Sequence, residues 1–195
     1  PSRQFDISKI DFDLLSREFA HTRRKNLLLR DLDELVNQQL SKMLFANPQR
    51  IDYYDRYQEI IDAYNAEQNR ATIEKTFMDL MELASSLDTE QQRYVREGFS
   101  SDEELSVYDL LFSENLTKQE IETIKKVSVD LLTKIKQQIA KLDHWTDKQE
   151  TKAIVDNLIR NTLWQELPNS YDVSDIQTYQ KKIYEYVYMR YPEVA

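Results

Sequence analysis

A chain of 195 residues with no cysteine, a single glycine and a formal net charge of −9 excludes several kinds of protein before any pattern is read. Without cysteine there can be no disulfide framework and no thiolate metal site, and an acidic balance disfavours a general nucleic-acid glue, because such binding rests on neutralising phosphates with lysine and arginine. The lone glycine, Gly98, stands where average usage of about 7% would supply roughly a dozen; that scarcity removes most hairpin turns and any glycine-rich phosphate cradle, so Walker A and dinucleotide-binding fingerprints are ruled out by inventory.

The length is sufficient to bury a core, and the chain is expected to form one all-helical domain over 1–195, with sub-lobes 1–99 and 100–195 if it is cut where continuity is weakest, at Gly98 to Asp102. Pro1 to Ile10 lack a basic region followed by an apolar one, and no run approaches the roughly 18 apolar residues of a membrane span. The expectation is a cytoplasmic protein with no membrane partner.

Hydrophobic periodicity predicts an all-α bundle of about eight to nine helices and no sheet. The first covers Asp11 to Ala20, with Phe12, Leu15 and Phe19 on one face. From Thr22 to Phe45, Leu28, Leu32, Leu35, Val36, Leu40, Met43 and Leu44 keep the 3.6-residue period until Asn47-Pro48 stops it. Asp52 reads as the N-cap of a helix to Asn65 carrying Tyr53, Tyr57, Ile60, Ile61 and Tyr64. The next runs from Thr72 to Leu87, and Asp88 is expected to cap a separate helix from Thr89 to Glu97, closed by Gly98 in the left-handed conformation.

Ser101 with Glu104 reads as a capping box opening a helix to Phe112, and Thr117 with Glu120 as another opening the long helix to Leu142. The apolar residues of that long helix, Ile121, Ile124, Val127, Val129, Leu131, Leu132, Ile135 and Ile139, cover more than one face, which predicts burial between neighbours. After the Asp143-His144-Trp145 corner a helix from Asp147 to Gln165 ends before Pro168. A third box, Ser174 with Gln177, is expected to open the last helix, which stops at Pro192.

No set of side chains has the spacing of a catalytic or metal site. Asp11 and Asp13, or Asp31 and Asp33, are two apart and do not share a helix face. His21 and His144 lack metal-spaced partners. The serines Ser85, Ser86, Ser100 and Ser101 lie in no nucleophile elbow, and the strand pair a restriction-type nuclease needs is missing. No catalytic, cofactor-binding or metal-ligating residue is therefore assigned.

Two binding surfaces are worth naming. Arg23, Arg24 and Lys25, with Arg30 farther along, form the strongest local positive patch and are the candidate DNA-backbone contacts. Lys125, Lys126, Lys134 and Lys136 alternate with acids and read as a solvated face. On the last helix Tyr184, Tyr188 and Tyr191 recur at i, i+4, i+7 while Tyr179, Ile183 and Val187 line another side. Tyrosine tolerates half-burial, so a partner-docking face competes with a plain core there; with Trp145 at the preceding corner, these three tyrosines are the candidate docking residues.

Three stretches together resemble the C-terminal helical region of the R subunit of type I restriction enzymes. The first runs from Asp11-Phe12 through Arg24-Lys25-Asn26, Asn47-Pro48 and Tyr57-Gln58-Glu59-Ile60-Ile61 to Tyr64-Asn65. The second is Glu90-Gln91-Gln92-Arg93-Tyr94-Val95-Arg96-Glu97-Gly98, then Asp102-Glu103-Glu104-Leu105 and Tyr108-Asp109-Leu110-Leu111. The third joins Leu116-Thr117, Leu142-Asp143-His144-Trp145 and Leu167-Pro168-Asn169-Ser170-Tyr171 up to Tyr188.

The resemblance covers nearly the whole chain. It implies that nuclease and helicase-like motor domains precede this region, that ATP and Mg serve those domains and no cofactor serves this one, and that the full-length subunit belongs to an ATP-dependent site-specific deoxyribonuclease that translocates DNA. It also implies the partners: the methyltransferase M and S subunits, the upstream domains of the same subunit, and double-stranded DNA, in a bacterial cytoplasm. A non-catalytic assembly domain is the leading expectation; a DNA-guiding surface and a structural cap on the motor are the alternatives. The family pattern places a basic residue after the tryptophan, where Thr146-Asp147 stand here, so a DNA contact at that corner does not carry over.

Overall fold

The computed structural model describes residues 10–193, and among them the chain is all-α, with nine helices and no strand. The reading of Pro1 to Ile10 as free of a leader lies, except for Ile10, outside the described residues. Two compact units divide the chain, Pro1–Arg96 and Glu97–Ala195.

Unit 1 contains α1 (Phe12–His21), α2 (Lys25–Ala46), a 3₁₀ turn (Pro48–Arg50), α3 (Ile51–Ala66), α4 (Arg70–Gln91) and the single turn α5 (Arg93–Arg96). Side-chain caps mark several starts: Asp11 Oδ1 accepts from the Leu14 amide, Asn69 Oδ1 from the Thr72 amide, and Asn47 Oδ1 from the Gln49 amide where α2 gives way to the 3₁₀ turn. Helices α2 and α3 both pack on α4. The seam consists of Leu29, Leu32, Val36, Leu40 and Met43 from α2 and Phe77, Leu80, Leu83, Ala84 and Leu87 from α4, all buried and, apart from the adjacent Leu83 and Ala84, spaced three or four apart. Phe19 of α1 stacks on Phe77 with ring centroids 3.7 Å apart, which seats the first helix.

Two expected helix boundaries in unit 1 are overturned. Asp88 caps nothing: α4 continues through it to Gln91, because the buried row that includes Leu83 and Leu87 extends to Glu90, and ending the helix earlier would withdraw that residue from its partners. Asp52 likewise falls inside the first turn of α3 rather than before it, since the 3₁₀ turn runs directly into the helix.

Glu90 is the polar centre of this unit. Arg50, with a side chain 2% exposed, donates from Nε to Glu90 Oε1 at 3.1 Å and from an η nitrogen to the Met43 carbonyl at 3.4 Å. Arg93 Nε donates to both Glu90 oxygens at 2.9 and 3.0 Å. One carboxylate thereby ties the end of α4 to the end of α2 and the start of α3. Burial, followed by the charge of Glu90, pushes the nearby Tyr53 phenol up.

Unit 2 is a closed set of four helices, α6 (Asp102–Leu111), α7 (Lys118–Ile139), α8 (Gln149–Glu166) and α9 (Val173–Arg190), in which α6 meets α7, α7 meets α8, α8 meets α9 and α9 returns to α6. The wide apolar coverage of α7 is explained by its two neighbours: Ile124, Val127, Leu131, Leu132, Ile135 and Ile139 are buried, and Val129 is left exposed. Gly98, at φ +85°, occupies the left-handed region two residues beyond α5, where glycine has no Cβ penalty.

The Thr117–Glu120 box forms in both directions. Ser101 caps the Glu104 amide, but the Glu104 carboxylate accepts from Ser100 N at 2.7 Å, one residue earlier than expected. The Ser174–Gln177 box is replaced by one between Asp172 and Asp175, with bonds of 2.8 and 3.0 Å. Tyr171 supplies the reason: buried, and donating its hydroxyl to the Leu111 carbonyl at 2.6 Å, it anchors the chain so closely before α9 that the helix has to begin at once. Among the described residues no helix is long and apolar enough to cross a membrane.

Candidate functional site

The corner between α7 and α8 turns through His144, which holds a left-handed φ of 47° and sends the next side chain inward. That side chain, Trp145, is 0% exposed and donates its indole N–H to the Tyr191 carbonyl at 2.7 Å. The rings of Tyr184 and Tyr188, one helical turn apart on α9, meet the indole edge-on at centroid distances of 6.1 and 5.7 Å. Trp145 is thus a floor on which two tyrosines stand. Burial, then Asp156 and Tyr188, push the Tyr184 phenol up, while Tyr188 is 38% exposed beside Met189 at 69%.

Of the four aromatic residues expected to dock a partner, the structure brings Trp145, Tyr184 and Tyr188 together but leaves only the two tyrosines on the surface. Trp145 and Tyr191 are corrected to interior residues: Tyr191 is 8% exposed, with its ring against Tyr186, because the end of α9 folds its last side chain back into unit 2.

A second feature lies beside these tyrosines. Gln149, Lys152, Ala153 and Asp156 on α8 and Gln177, Gln180, Lys181 and Tyr184 on α9 each follow i, i+3, i+4, i+7, and the two stripes line one cleft of about 500 Å³. Gln180 donates to Asp156 Oδ1 at 3.0 Å across it, and the Lys152 ammonium lies 5.8 Å from the Tyr188 ring centroid. Only Tyr184 of these residues is read from the sequence as a binding residue; Gln177 is read there as a capping-box partner. Each stripe is legible as a polar helix face, but that signal resembles any solvated face until the two are seen side by side.

His144 joins the corner to the end of the described chain. Its Nδ1 lies 2.6 Å from Asp143 Oδ1 and its Nε2 3.5 Å from Glu193 Oε1. The hydrogen bond and charge of Asp143, with the charges of Glu193 and Asp147, hold the imidazole above its ordinary value of 6.5. A raised folded-state value means that the contact contributes fully below 6.5 and fades as pH rises through the folded value. An NMR titration of the full chain is expected to place the His144 midpoint above 6.5, and Glu193→Gln to move it down. A midpoint at or below 6.5 in the unmodified chain would show that Asp143 and Glu193 do not hold the imidazole in this way.

The basic run lies in unit 1. Lys25 is committed within the fold: its ammonium is 3.2 Å from Glu74 Oε1 and 4.7 Å from the Phe19 ring centroid, and with Arg70 it holds the Glu74 carboxyl below the usual carboxylate range. Arg30 faces Asp31 at 3.5 Å with both side chains exposed. Arg23 and Arg24 are exposed and have no ion pair among the described residues. In unit 2, Lys125, Lys134 and Lys136 pair with Glu97, with Asp130 and Glu166, and with Glu103. Among the described residues no group of three or more histidine, aspartate or glutamate side chains is placed to hold a metal ion.

Residues 2–191 match the family model described as type I restriction enzyme HindI endonuclease subunit-like, C-terminal. Neither a curated protein nor a solved structure matches the chain.

Proposed function

The chain belongs to the family of type I restriction enzyme HindI endonuclease subunit-like C-terminal domains, and from that premise we propose that it is the assembly domain of a restriction subunit, docking the ATP-dependent DNA translocase and endonuclease onto its methyltransferase M and S partners. The observation that carries the reading is the pair Tyr184 and Tyr188, held edge-on by the buried Trp145. Rings already fixed before binding lose little rotamer freedom on association, and tyrosine is enriched among the few residues that dominate binding energy. The charged rim is in place in Lys152 and Asp156.

The test is co-elution of the chain with a methyltransferase core, with and without duplex DNA, at two salt concentrations. Stable, salt-tolerant association is expected. Tyr188→Ala, at a position exposed enough to leave folding intact, is expected to weaken it by about 1–2 kcal/mol, roughly tenfold. An unchanged affinity would remove the tyrosine face as the contact.

Arg23 and Arg24, free of ion pairs among the described residues, favour a second reading as a DNA-guiding surface. That reading predicts DNA retention that falls steeply with salt and is lost in Arg23→Ala/Arg24→Ala, with no association to the protein core. Neither reading gives this chain a reaction of its own; ATP and Mg are assigned to upstream domains, and ATP hydrolysis or DNA cleavage by the chain alone would overturn both.

A further inference from the structure

The cleft between α8 and α9, whose Lys152 and Asp156 also rim the aromatic face, adds Lys181 and three glutamines to it. Lys134 and Lys136 of the same unit each reach a carboxylate, those of Glu166 and Glu103. Lys152 and Lys181, which line the cleft, have no ion pair among the described residues. One oxygen of the carboxylate between them, Asp156 Oδ1, accepts from Gln180. What remains exposed to a ligand is two ammonium groups, glutamine amides that donate as well as accept, and the wall of Tyr184.

The shape agrees with that inventory. The cleft, of about 500 Å³, is open to solvent, the form of a groove for an extended segment and not of a pocket that encloses a small molecule. It runs between two packed helices, so its walls are pre-formed, and the Lys152–Tyr188 contact makes it continuous with the exposed aromatic face.

We propose that this cleft takes an extended acidic segment of the protein partner, with its carboxylates at Lys152 and Lys181 and its backbone amides against Gln149 and Gln180. The proposal rests on the docking reading and names the chemistry of the partner surface. Protein is favoured over nucleic acid because the cleft offers two lysines beside Asp156, too few cations to neutralise a run of phosphates. A short acidic segment needs only two cations, and two are present.

The experiment uses the full chain with Lys152→Glu/Lys181→Glu, and with Lys152→Gln/Lys181→Gln as a milder pair, each checked for native helicity. The probes are the methyltransferase core, a glutamate-rich hexapeptide containing one tyrosine, its lysine-rich counterpart, and duplex DNA. Charge reversal is expected to weaken core binding tenfold or more at low salt, with the difference narrowing as salt rises. The glutamate peptide, but not the lysine peptide, is expected to compete for the unmodified chain.

If the core binds the reversed pair as tightly as the unmodified chain while Tyr188→Ala weakens binding, the cleft proposal fails and the docking reading stands. If the chain does not bind the core at all, the docking reading fails. Peptide titration then decides the cleft separately: glutamate-peptide binding lost on charge reversal supports it, and no binding overturns it. Lysine-dependent retention of duplex DNA without peptide binding would also overturn it.

Discussion

Glu90→Ala is expected to destabilise unit 1 by about 3–5 kcal/mol, the usual cost of removing one member of a buried ion pair. The carboxylate accepts from Arg50 and from Arg93, and the Arg50 side chain is 2% exposed, so deletion takes away the acceptor that the two guanidinium groups share beside a buried charge. Glu90→Gln retains an acceptor and should cost less. A double substitution, Arg50→Met with Glu90→Leu, is expected to cost less than Glu90→Ala, because a buried pair replaced by apolar volume pays no desolvation. Urea unfolding of the full chain, followed by far-UV circular dichroism, measures all three. If Glu90→Ala shifts stability by less than about 1 kcal/mol, the network is not what holds the end of α4 to the corner between α2 and α3.

Trp145→Ala should be comparably severe in unit 2, at about 3–5 kcal/mol, because it empties the volume of a fully buried indole and removes the floor beneath Tyr184 and Tyr188. Trp145→Phe separates the two contributions. It refills much of the space but leaves the Tyr191 carbonyl without the indole N–H now 2.7 Å away, a loss of about 1–3 kcal/mol. Fluorescence makes the experiment specific, because Trp164 is 50% exposed and Trp145 is 0% exposed: the blue-shifted component should vanish in both variants. On the docking reading, Trp145→Phe should also weaken association with the methyltransferase core more than its stability loss explains, since Tyr188 would lose its edge-on support. Equal binding by a folded Trp145→Phe chain would show that the tyrosines need no such floor.

The helical class and most of the elements could be deduced from the sequence because they depend on interactions within a few residues. One glycine in 195 residues, apolar residues at three- and four-residue spacing, and Thr117 placed three before Glu120 all act locally, and each produced the element expected of it.

Where a local signal competed with a distant contact, the tertiary structure decided. Asp88 is a good cap by composition, yet α4 passes through it because Glu90, two residues on, is bonded to Arg50, 40 residues away. Ser174 lost its place to Asp172 because Tyr171 is tied to Leu111, 60 residues away. The candidate site divides in the same manner. The tyrosine spacing on α9 was legible, but the burial of Trp145 and Tyr191, the ion pair that occupies Lys25, and the meeting of two ordinary polar faces around Lys152 and Lys181 were not. A helix fixes the angle between its own side chains through its period; which of them face water depends on what packs against it, and that information is spread over the whole chain.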